Sequence, residues 1–374
     1  MRVVVTGQVG MDKKEFLEAT VSAAEAAGRK VHLINVGDRM YAEARDVRPG
    51  RILDLPLARL DALRRSVFKD ILKDCAAGDD VIVNTHATFR WRHGLFYAFD
   101  HDLMKALDAD LYVVLVDNID RVHARLLRDG HANHTLKDLM VWREEEVLAT
   151  ELLGQIVRGH GCFYVLSRGE RASAAETLSR LICRRYLKKA YLSFPMTHVI
   201  GLPQTLAQIE RFRAEMKRYF ICFDPGDLEE KHLARLALAA VESGEKFVAV
   251  DVEGRSVSIE TAELVSILSD IDGQIYVRDF KMIDQSDMIV SLIPEIPAGP
   301  DGQAQPGISS GVERELQHAH EATKDVFVIW LSAREPSPFI SETATQVFRS
   351  VPQAVQFFLD NNYVPPPPRG GLFG

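Results

Sequence analysis

The residues of this sequence best suited to chemistry are acids in its second half. Asp279 and Asp287 are eight residues apart, and Asp287 directly precedes an apolar run. Glu315 follows a turn of small residues, Ser309-Ser310-Gly311. In α/β folds, ligands bind outside the carboxyl ends of the strands. We therefore expect the chemistry of this chain in the stretch from Arg278 to Leu331.

Paired carboxyl groups suit nucleophilic and acid–base catalysis. An ionised carboxylate can stabilise or trap a positive charge that develops at a reacting carbon. A second carboxyl group with a raised pKa can protonate a leaving group. Structural alternatives remain for both kinds of acid: Asp287 is at a position typical of a turn, and a glutamate at a helix start can simply stabilise the dipole.

These acids, together with Tyr191 on an earlier predicted strand, resemble the nucleoside 2-deoxyribosyltransferase family, which includes hydrolases of deoxynucleoside 5′-monophosphates. The resemblance covers roughly residues 189 to 360. It rests on the tyrosine, on the spacing of the two aspartates, and on the run Gly311-Val312-Glu313-Arg314-Glu315-Leu316-Gln317-His318-Ala319. Gln317 stands where the family has a glycine. The resemblance implies a flavodoxin-like parallel sheet.

The resemblance also implies a role for individual residues. Glu315 would attack C1′, Asp279 would assist departure of the base, and the Tyr191 hydroxyl would orient Glu315. The implied substrate-binding residues are Ser309, Ser310, Gly311, Asp287 and Pro195. Members that use free nucleosides carry an acid at the position of Ser309. Because a serine beside helix-start amides suits a 5′-phosphate, we expect a nucleotide rather than a nucleoside.

The start of the helix that carries Glu315 is also predicted. Ser310 and Glu313 match a capping box, which assigns Glu313 a structural role. Glu315 would then lie in the first helical turn, where the macrodipole favours its ionised form.

The beginning of the chain has a second candidate site, a strand followed by a glycine turn and a helix. Such a turn cradles phosphates in the pattern GxxxxGK[ST]. Gly7, Gly10 and Lys13 suit a nucleotide-binding turn, whereas Asp12 replaces the last glycine of the pattern. Lys14 replaces the hydroxyl residue, which removes one magnesium ligand. A purely structural turn remains an equal alternative.

The first 185 or so residues resemble P-loop nucleoside monophosphate kinases of the archaeal adenylate kinase type. The matching pieces are the glycine turn, the run 35–40, the run Asn84-Thr85-His86, and the spacing to Arg125 and Asp129. The family has an aspartate where this chain has Asn84, and the arginines expected after Asp129 are absent. The resemblance implies an ATP and Mg²⁺ site, and these departures predict a degenerate domain that binds nucleotide without phosphoryl transfer.

Nearby histidines do not predict a metal site. His123, His131 and His134 lie close in sequence, but no acid or cysteine completes a ligand set. We therefore predict no metal site and interpret them as part of a surface loop.

Alternating strands and helices must position both sites. They predict an α/β protein with two domains, each built on a parallel sheet. The predicted limits are residues 1–187 for the P-loop kinase-like domain and 188–363 for the deoxyribosyltransferase-like domain, followed by an extended Pro/Gly-rich tail at 364–374. Within the second domain, we predict a helix from Glu260 to Ile271 and a strand from Gln274 to Val277.

The composition excludes several classes of protein. A net charge of −8 argues against broad nucleic-acid binding. Four scattered cysteines predict a reducing, cytoplasmic setting without disulfides. No apolar run approaches the roughly 18 residues of a membrane span, and no signal peptide is visible.

Our leading hypothesis is an enzyme that cleaves or exchanges the N-glycosidic bond of deoxynucleosides or their monophosphates, with no cofactor required. The alternatives are a nucleotide kinase led by the N-terminal domain, which would use ATP and Mg²⁺, and a nucleotide-binding sensor or scaffold. A nucleotide-modifying enzyme fused to a kinase-like domain would suit depletion of a nucleotide pool during antiviral defence. The deoxyribosyltransferase resemblance implies a homo-oligomer. The sequence leaves open which base is recognised, and whether water or a second base is the acceptor.

Overall fold

The computed structural model describes residues 1–48, 50–75, 80–91, 94–131, 134–169, 172–197, 199–297 and 304–365. The chain divides into two compact units. The first unit comprises Met1–Cys183 and Asp227–Tyr276, and the second comprises Arg184–Gly226 and Val277–Gly374. Most of the predicted Pro/Gly-rich tail, from residue 366 onward, lies outside the described residues.

The elements alternate along the chain much as the sequence predicts. The strands are β1 (Arg2–Thr6), β2 (Val31–Asn35), β3 (Asp80–Asn84), β4 (Thr88–Trp91), β5 (Gly94–Tyr97), β6 (Leu111–Val116), β7 (Phe163–Ser167), β8 (Lys189–Ser193), β9 (Ile221–Phe223), β10 (Phe247–Val252), β11 (Arg255–Glu260), β12 (Met288–Ile293), β13 (Glu295–Ile296), β14 (Gln305–Pro306), β15 (Asp325–Trp330) and β16 (Gln346–Phe348). The helices are α1 (Lys13–Ala26), α2 (Val36–Glu43), α3 (Leu57–Cys75), α4 (His101–Leu107), α5 (Ile119–Arg128), α6 (Leu136–Arg158), α7 (Ala172–Cys183), α8 (Pro203–Tyr219), α9 (Lys231–Ser243), α10 (Thr261–Ser266), α11 (Leu268–Asp284), α12 (Ser310–Glu321), α13 (Pro338–Ser341) and α14 (Val351–Asp360). None of the described helices has the length and apolar character needed to cross a membrane.

The first unit is built on a parallel sheet with strand order β2-β3-β1-β6-β7. Every residue of β6 is buried, as expected of a central parallel strand with helices on both faces. Because β1 and β3 are neighbours, their carboxyl ends bring the glycine turn and the run 84–86 to the same edge of the sheet.

The second unit is built on another parallel sheet, of order β16-β15-β12-β8-β9. Counted within the unit, this is the flavodoxin-like order 2-1-3-4-5, whose direction of winding reverses between β8 and β12. Folds of this kind bind ligands at that reversal, outside the carboxyl ends of the strands. The predicted α/β fold with two parallel sheets is confirmed.

One segment of the predicted second domain packs with the first unit instead. Residues 227–276 contain α9, the β10–β11 hairpin and α10. Ionic side chains connect them to the rest of the first unit, residues 1–183. Glu230 accepts hydrogen bonds from the backbone N of Ile119 at 2.9 Å and from Nη1 of Arg143 at 2.7 Å. The predicted domain limits therefore differ from the compact units by this inserted segment and by residues 184–187.

The strand predicted at Gln274–Val277 is wrong, because these residues lie inside α11. Tyr276 and Val277 made the run look like a strand, yet they are 51% and 44% exposed. The buried positions at 271, 279, 282 and 283 instead follow helical spacing. Asp279 is therefore presented by a helix that precedes β12, not by the loop after a strand.

Candidate functional site

Two side chains of β8 bind the carboxylate of Glu315. The Tyr191 hydroxyl donates to Oε1 at 3.0 Å, and the Ser193 hydroxyl donates to Oε2 at 2.6 Å. Tyr191 and Ser193 are two residues apart on one strand, so they point to the same face of the sheet. Both carboxylate oxygens are thereby fixed beside the reversal of strand order between β8 and β12.

The electrostatic surroundings of Glu315 disfavour its charge. Burial, followed by the negative charge of Asp279, raises the pKa of Glu315 to about 8, although the hydroxyls of Ser193 and Tyr191 oppose the shift. Burial and the same two carboxylates raise the pKa of Tyr191 well above its ordinary value. The tyrosine therefore stays a neutral donor, and Glu315 can hold or release a proton near neutral pH.

Asp279 belongs to the same site as Glu315, since its charge shifts the pKa of both Glu315 and Tyr191. Asp279 is 6% exposed and accepts two hydrogen bonds from the Arg278 guanidinium, each 3.0 Å from Oδ1. The structure thus brings together the tyrosine and the two acids to which the sequence assigned chemistry. A cationic neighbour of Asp279 was not predicted.

The small-residue turn before α12 differs in detail from the sequence prediction. Ser309, not Ser310, is the N-cap, and its hydroxyl accepts a hydrogen bond from the backbone N of Val312 at 3.3 Å. Ser310 is the first helical residue, and Gly311 follows it in the first turn. Glu315 therefore lies in the second helical turn, where the dipole effect is weak. This position is consistent with its raised pKa.

The other two predicted substrate-binding residues lie at opposite ends of their strands. Pro195 is buried just beyond the carboxyl end of β8. Asp287 lies at the amino end of β12, where it accepts a hydrogen bond from the backbone N of Lys189 at 2.8 Å and pairs with the ammonium group of that lysine. These contacts favour the structural alternative for Asp287.

The glycine turn of the first unit requires both of its glycines. Gly7 has φ +145°, and a Cβ there would lie 2.9 Å from the backbone O of Leu115. Gly10 has φ +86°, and its Cβ would lie 2.9 Å from Cγ of Leu126. Asp12, which replaces the last glycine of the pattern, still adopts the left-handed conformation, with φ 45°.

Lys13 is directed back into the glycine turn. Its ammonium group donates to the backbone O of Gly7 at 2.8 Å and contacts Nδ1 of His86 at 3.2 Å. Burial lowers the pKa of Lys13 to about 7, with the charge of Glu146 opposing the shift. Burial and the charge of Lys13 hold the pKa of His86 well below its ordinary value. The lysine charge is therefore sensitive to pH near neutrality.

The residues at the magnesium positions do not fit a metal site. Asn84 donates from Nδ2 to Oδ1 of Asn35 at 2.8 Å, so a neutral amide stands where an acid would hold the ion. Lys14 places an ammonium group 2.9 Å from Oδ2 of Asp38, where the pattern has a hydroxyl ligand. Asp12 accepts two hydrogen bonds from Arg128, each at 3.0 Å, which leaves it a poor metal ligand.

A cavity of about 370 Å³ lies beside the glycine turn. Lys13, Asn84 and His86 line it, together with the runs 8–14 and 35–38. His131 and His134 also line this cavity, whereas the sequence placed them in a surface loop. Its volume and its mixed polar and apolar walls suit a small-molecule ligand.

Some residues of both sites were missed by reasoning from the sequence. Ser193 could have been found, because it lies two residues after Tyr191 and so shares its face of the strand. Nothing in the sequence marks Arg278 as a site residue except that it directly precedes Asp279. The contact between Arg125 and Glu253 joins residues 128 positions apart, and no spacing rule predicts it.

Comparison with known proteins places the first unit among P-loop domains. A family model described as an AAA domain matches residues 6–143. Adenylate kinases of Pyrococcus abyssi and Pyrococcus furiosus are each 22% identical over 187 residues, which is 48% of this chain and 92% of each relative. The adenylate kinase of Thermococcus kodakarensis is 20% identical over 185 residues. The resemblance of the second unit to deoxyribosyltransferases remains a prediction. The first unit is a P-loop kinase-like domain with weak similarity to adenylate kinases.

Proposed function

We propose that the first unit binds a nucleotide in the cavity beside the glycine turn. The observation that carries this proposal is the turn with two glycines at positive φ, of which Gly10 lines the cavity together with Lys13. The similarity to adenylate kinases supports a nucleotide as the ligand. Because Asn84 and Lys14 replace the groups that would hold magnesium, phosphoryl transfer is the less favoured reaction for this unit.

Removal of the buried lysine tests nucleotide binding. We expect Lys13→Ala to weaken ATP binding about 10-fold to 100-fold, as for the loss of one buried charge on a phosphate. Wild-type affinity is expected to fall between pH 6 and pH 8, because Lys13, whose pKa is about 7, loses its charge over this range. Isothermal titration calorimetry of the full chain measures both effects.

The matched control for this prediction is Lys30→Ala, since Lys30 is an exposed lysine of the same unit. Equal ATP affinity in wild type and Lys13→Ala would contradict the proposed site. Magnesium-dependent ATP turnover that disappears in Lys13→Ala would favour the kinase alternative.

A second candidate function is cleavage of the N-glycosidic bond of a deoxynucleotide at Glu315. The observation that favours it is the placement of the Glu315 carboxylate between the hydroxyls of Tyr191 and Ser193. In this mechanism, Glu315 bonds to C1′ while the bond from C1′ to the base nitrogen breaks, and Asp279 supplies a proton to the departing base. Water or a second base then takes the sugar from Glu315.

The sugar substrate can be identified by product analysis. Purified protein is incubated with a panel of deoxynucleosides and deoxynucleoside monophosphates, and free base is separated by chromatography. Free base from monophosphates alone would support a phosphate subsite near the N-terminus of α12. No base from any substrate, with or without an acceptor base or ATP, would favour the sensor alternative.

The pH dependence of base release tests the role of Glu315. Only its ionised form can attack C1′, and a pKa of about 8 leaves about a tenth of it ionised at pH 7. We therefore expect the single-turnover rate to rise about fivefold between pH 7 and pH 8. A rate that falls over this range would indicate that Glu315 acts as the acid instead.

A further inference from the structure

The turn between β10 and β11 carries a carboxylate into the arginines of the first unit. Arg125 on α5 is 1% exposed, and its Nε donates to Oε1 of Glu253 at 3.0 Å. Glu253 has φ +52°, a left-handed conformation that glycine adopts more readily. The ion pair offsets this strain and connects the tip of the hairpin to α5.

The same arginine reaches the glycine turn. Nη1 of Arg125 lies 3.4 Å from the backbone O of Gly10, and its Nε lies 3.7 Å from Oδ2 of Asp12. Arg128, one helical turn further on, holds Asp12 through two hydrogen bonds. Glu253 is therefore bound to a cation that lies directly beside the turn proposed to hold phosphates.

Arg168 adds hydrogen-bond donors that an anion could use to a charged cluster, which consists of Arg125, Arg168, Asp117 and Glu253. Its Nη1 lies 3.8 Å from Oε1 of Glu253 and 3.5 Å from Oδ2 of Asp117, both long for hydrogen bonds. Its Nε is buried and has no hydrogen-bond partner within the part of the chain that the structure describes. An anion with several oxygens would satisfy these donors better than the single carboxylate of Glu253.

The rest of the cluster can remain intact when Glu253 leaves. Asp117 is fully buried and accepts a hydrogen bond from Nη1 of Arg125 at 2.8 Å. Glu253 is the more exposed partner, with 40% of its side chain accessible to solvent. Replacing Glu253 by a phosphate would thus exchange one anion for another without leaving Arg125 unpaired.

We propose that Glu253 is an internal competitor for the phosphates of a nucleotide, bound to Arg125 until a polyphosphate displaces it. This inference rests on the nucleotide binding proposed above for the first unit. The β10–β11 hairpin is then held to α5 in the absence of nucleotide and released from it when nucleotide binds. The contact between the inserted segment and α5 would then depend on whether the glycine turn holds a nucleotide.

Nucleotide affinity in variants of the full chain tests the competition. Glu253→Gln removes the charge, and Glu253→Gly removes the whole side chain at a position whose φ suits glycine. We expect both variants to bind ATP about 10-fold more tightly than wild type, because a competing state lowers the apparent affinity in proportion to its population. Adenosine, which lacks phosphates, should bind equally to all of them. The matched control is Glu242→Gln, an exposed acid of the same segment, which should bind ATP as wild type does.

The outcomes separate this inference from the proposed function. Equal ATP affinity in wild type and both Glu253 variants would overturn the competition while leaving nucleotide binding in place. A gain in adenosine affinity equal to the gain for ATP would also overturn it, since the effect would not involve phosphates. Failure of every variant to bind ATP would overturn both proposals.

A second measurement needs no variant. Sodium tripolyphosphate is added to the wild-type chain, and amide hydrogen exchange is followed in peptides that cover residues 247–260. We expect exchange there to accelerate several-fold as the turn is released from Arg125. Unchanged exchange at a tripolyphosphate concentration that competes with ATP would overturn the proposal.

Discussion

Replacement of Glu315 by glutamine is expected to reduce the release of free base by about 10³-fold or more, as for the loss of a nucleophile that forms a covalent intermediate. Glutamine has nearly the same shape: its Oε1 can accept a hydrogen bond from one of the two hydroxyls, and its Nε2 can donate to the other. It cannot form the ester with C1′. The loss should therefore appear in kcat rather than in KM, and single-turnover chromatography of the released base measures it.

The control for this variant lies on the same helix. Glu313 is exposed in the first turn of α12 and lies two residues before Glu315. Glu313→Gln changes the same charge and should retain activity within about twofold, since it lies outside the hydrogen-bonded site. Glycosidic cleavage at this site would be excluded if Glu315→Gln kept more than a tenth of the wild-type rate.

The two parallel sheets and the contact between Tyr191 and Glu315 could be predicted from the sequence. Buried apolar runs such as Met288–Ile293 are typical of central parallel strands, so the kind of sheet follows from local patterns. The contact between Tyr191 and Glu315 was predicted from the resemblance to deoxyribosyltransferases, and a local pattern alone would not have predicted it. The strand predicted at Gln274–Val277 was wrong because its aromatic and β-branched residues favour a strand, whereas the spacing of the buried residues specifies a helix.

The inserted segment could not be predicted, and the reason is physical. Residues 227–276 attach to the first unit through side-chain ions such as Glu230 with Arg143 and Glu253 with Arg125. Each of these pairs joins groups that are far apart in sequence, and charged residues on a helix or hairpin ordinarily face solvent. Composition and periodicity therefore give no indication of their partners. The same limit applies to Asp117, whose burial depends on its arginines.

Asp224, a buried acid of the second unit, gives the largest expected effect on stability. Asp224 follows β9, and its side chain is fully buried. Its Oδ2 accepts a hydrogen bond from Nε of Arg213 at 2.8 Å and pairs with the ammonium group of Lys217 at 2.6 Å. Its Oδ1 accepts a hydrogen bond from the backbone N of Gly226 at 3.0 Å. One carboxylate thus compensates two cations on α8.

Asp224→Ala is expected to lower the free energy of unfolding of the second unit by about 3–5 kcal/mol, because it removes the fully buried carboxylate that faces the charges of Arg213 and Lys217. Amide hydrogen exchange of peptides that cover β8 and β9 measures this loss within the unit. Glu215→Ala breaks a surface pair with Arg218 on the same helix and should cost less than about 1 kcal/mol. A loss from Asp224→Ala no larger than that of the surface variant would show that the cations find other partners.

The pH dependence of stability provides an independent check on Asp224. Burial alone would raise its pKa, but Lys217 and Arg213 outweigh burial and lower the pKa below its ordinary value. A depressed carboxyl pKa contributes stability that is complete above the unfolded value, about 3.9, and is lost as pH falls through the folded value. Wild type should therefore lose stability below about pH 4 more steeply than Asp224→Ala, which has no such carboxylate to protonate. Parallel acid unfolding curves for the two proteins would instead assign the acid sensitivity of this unit to other carboxylates.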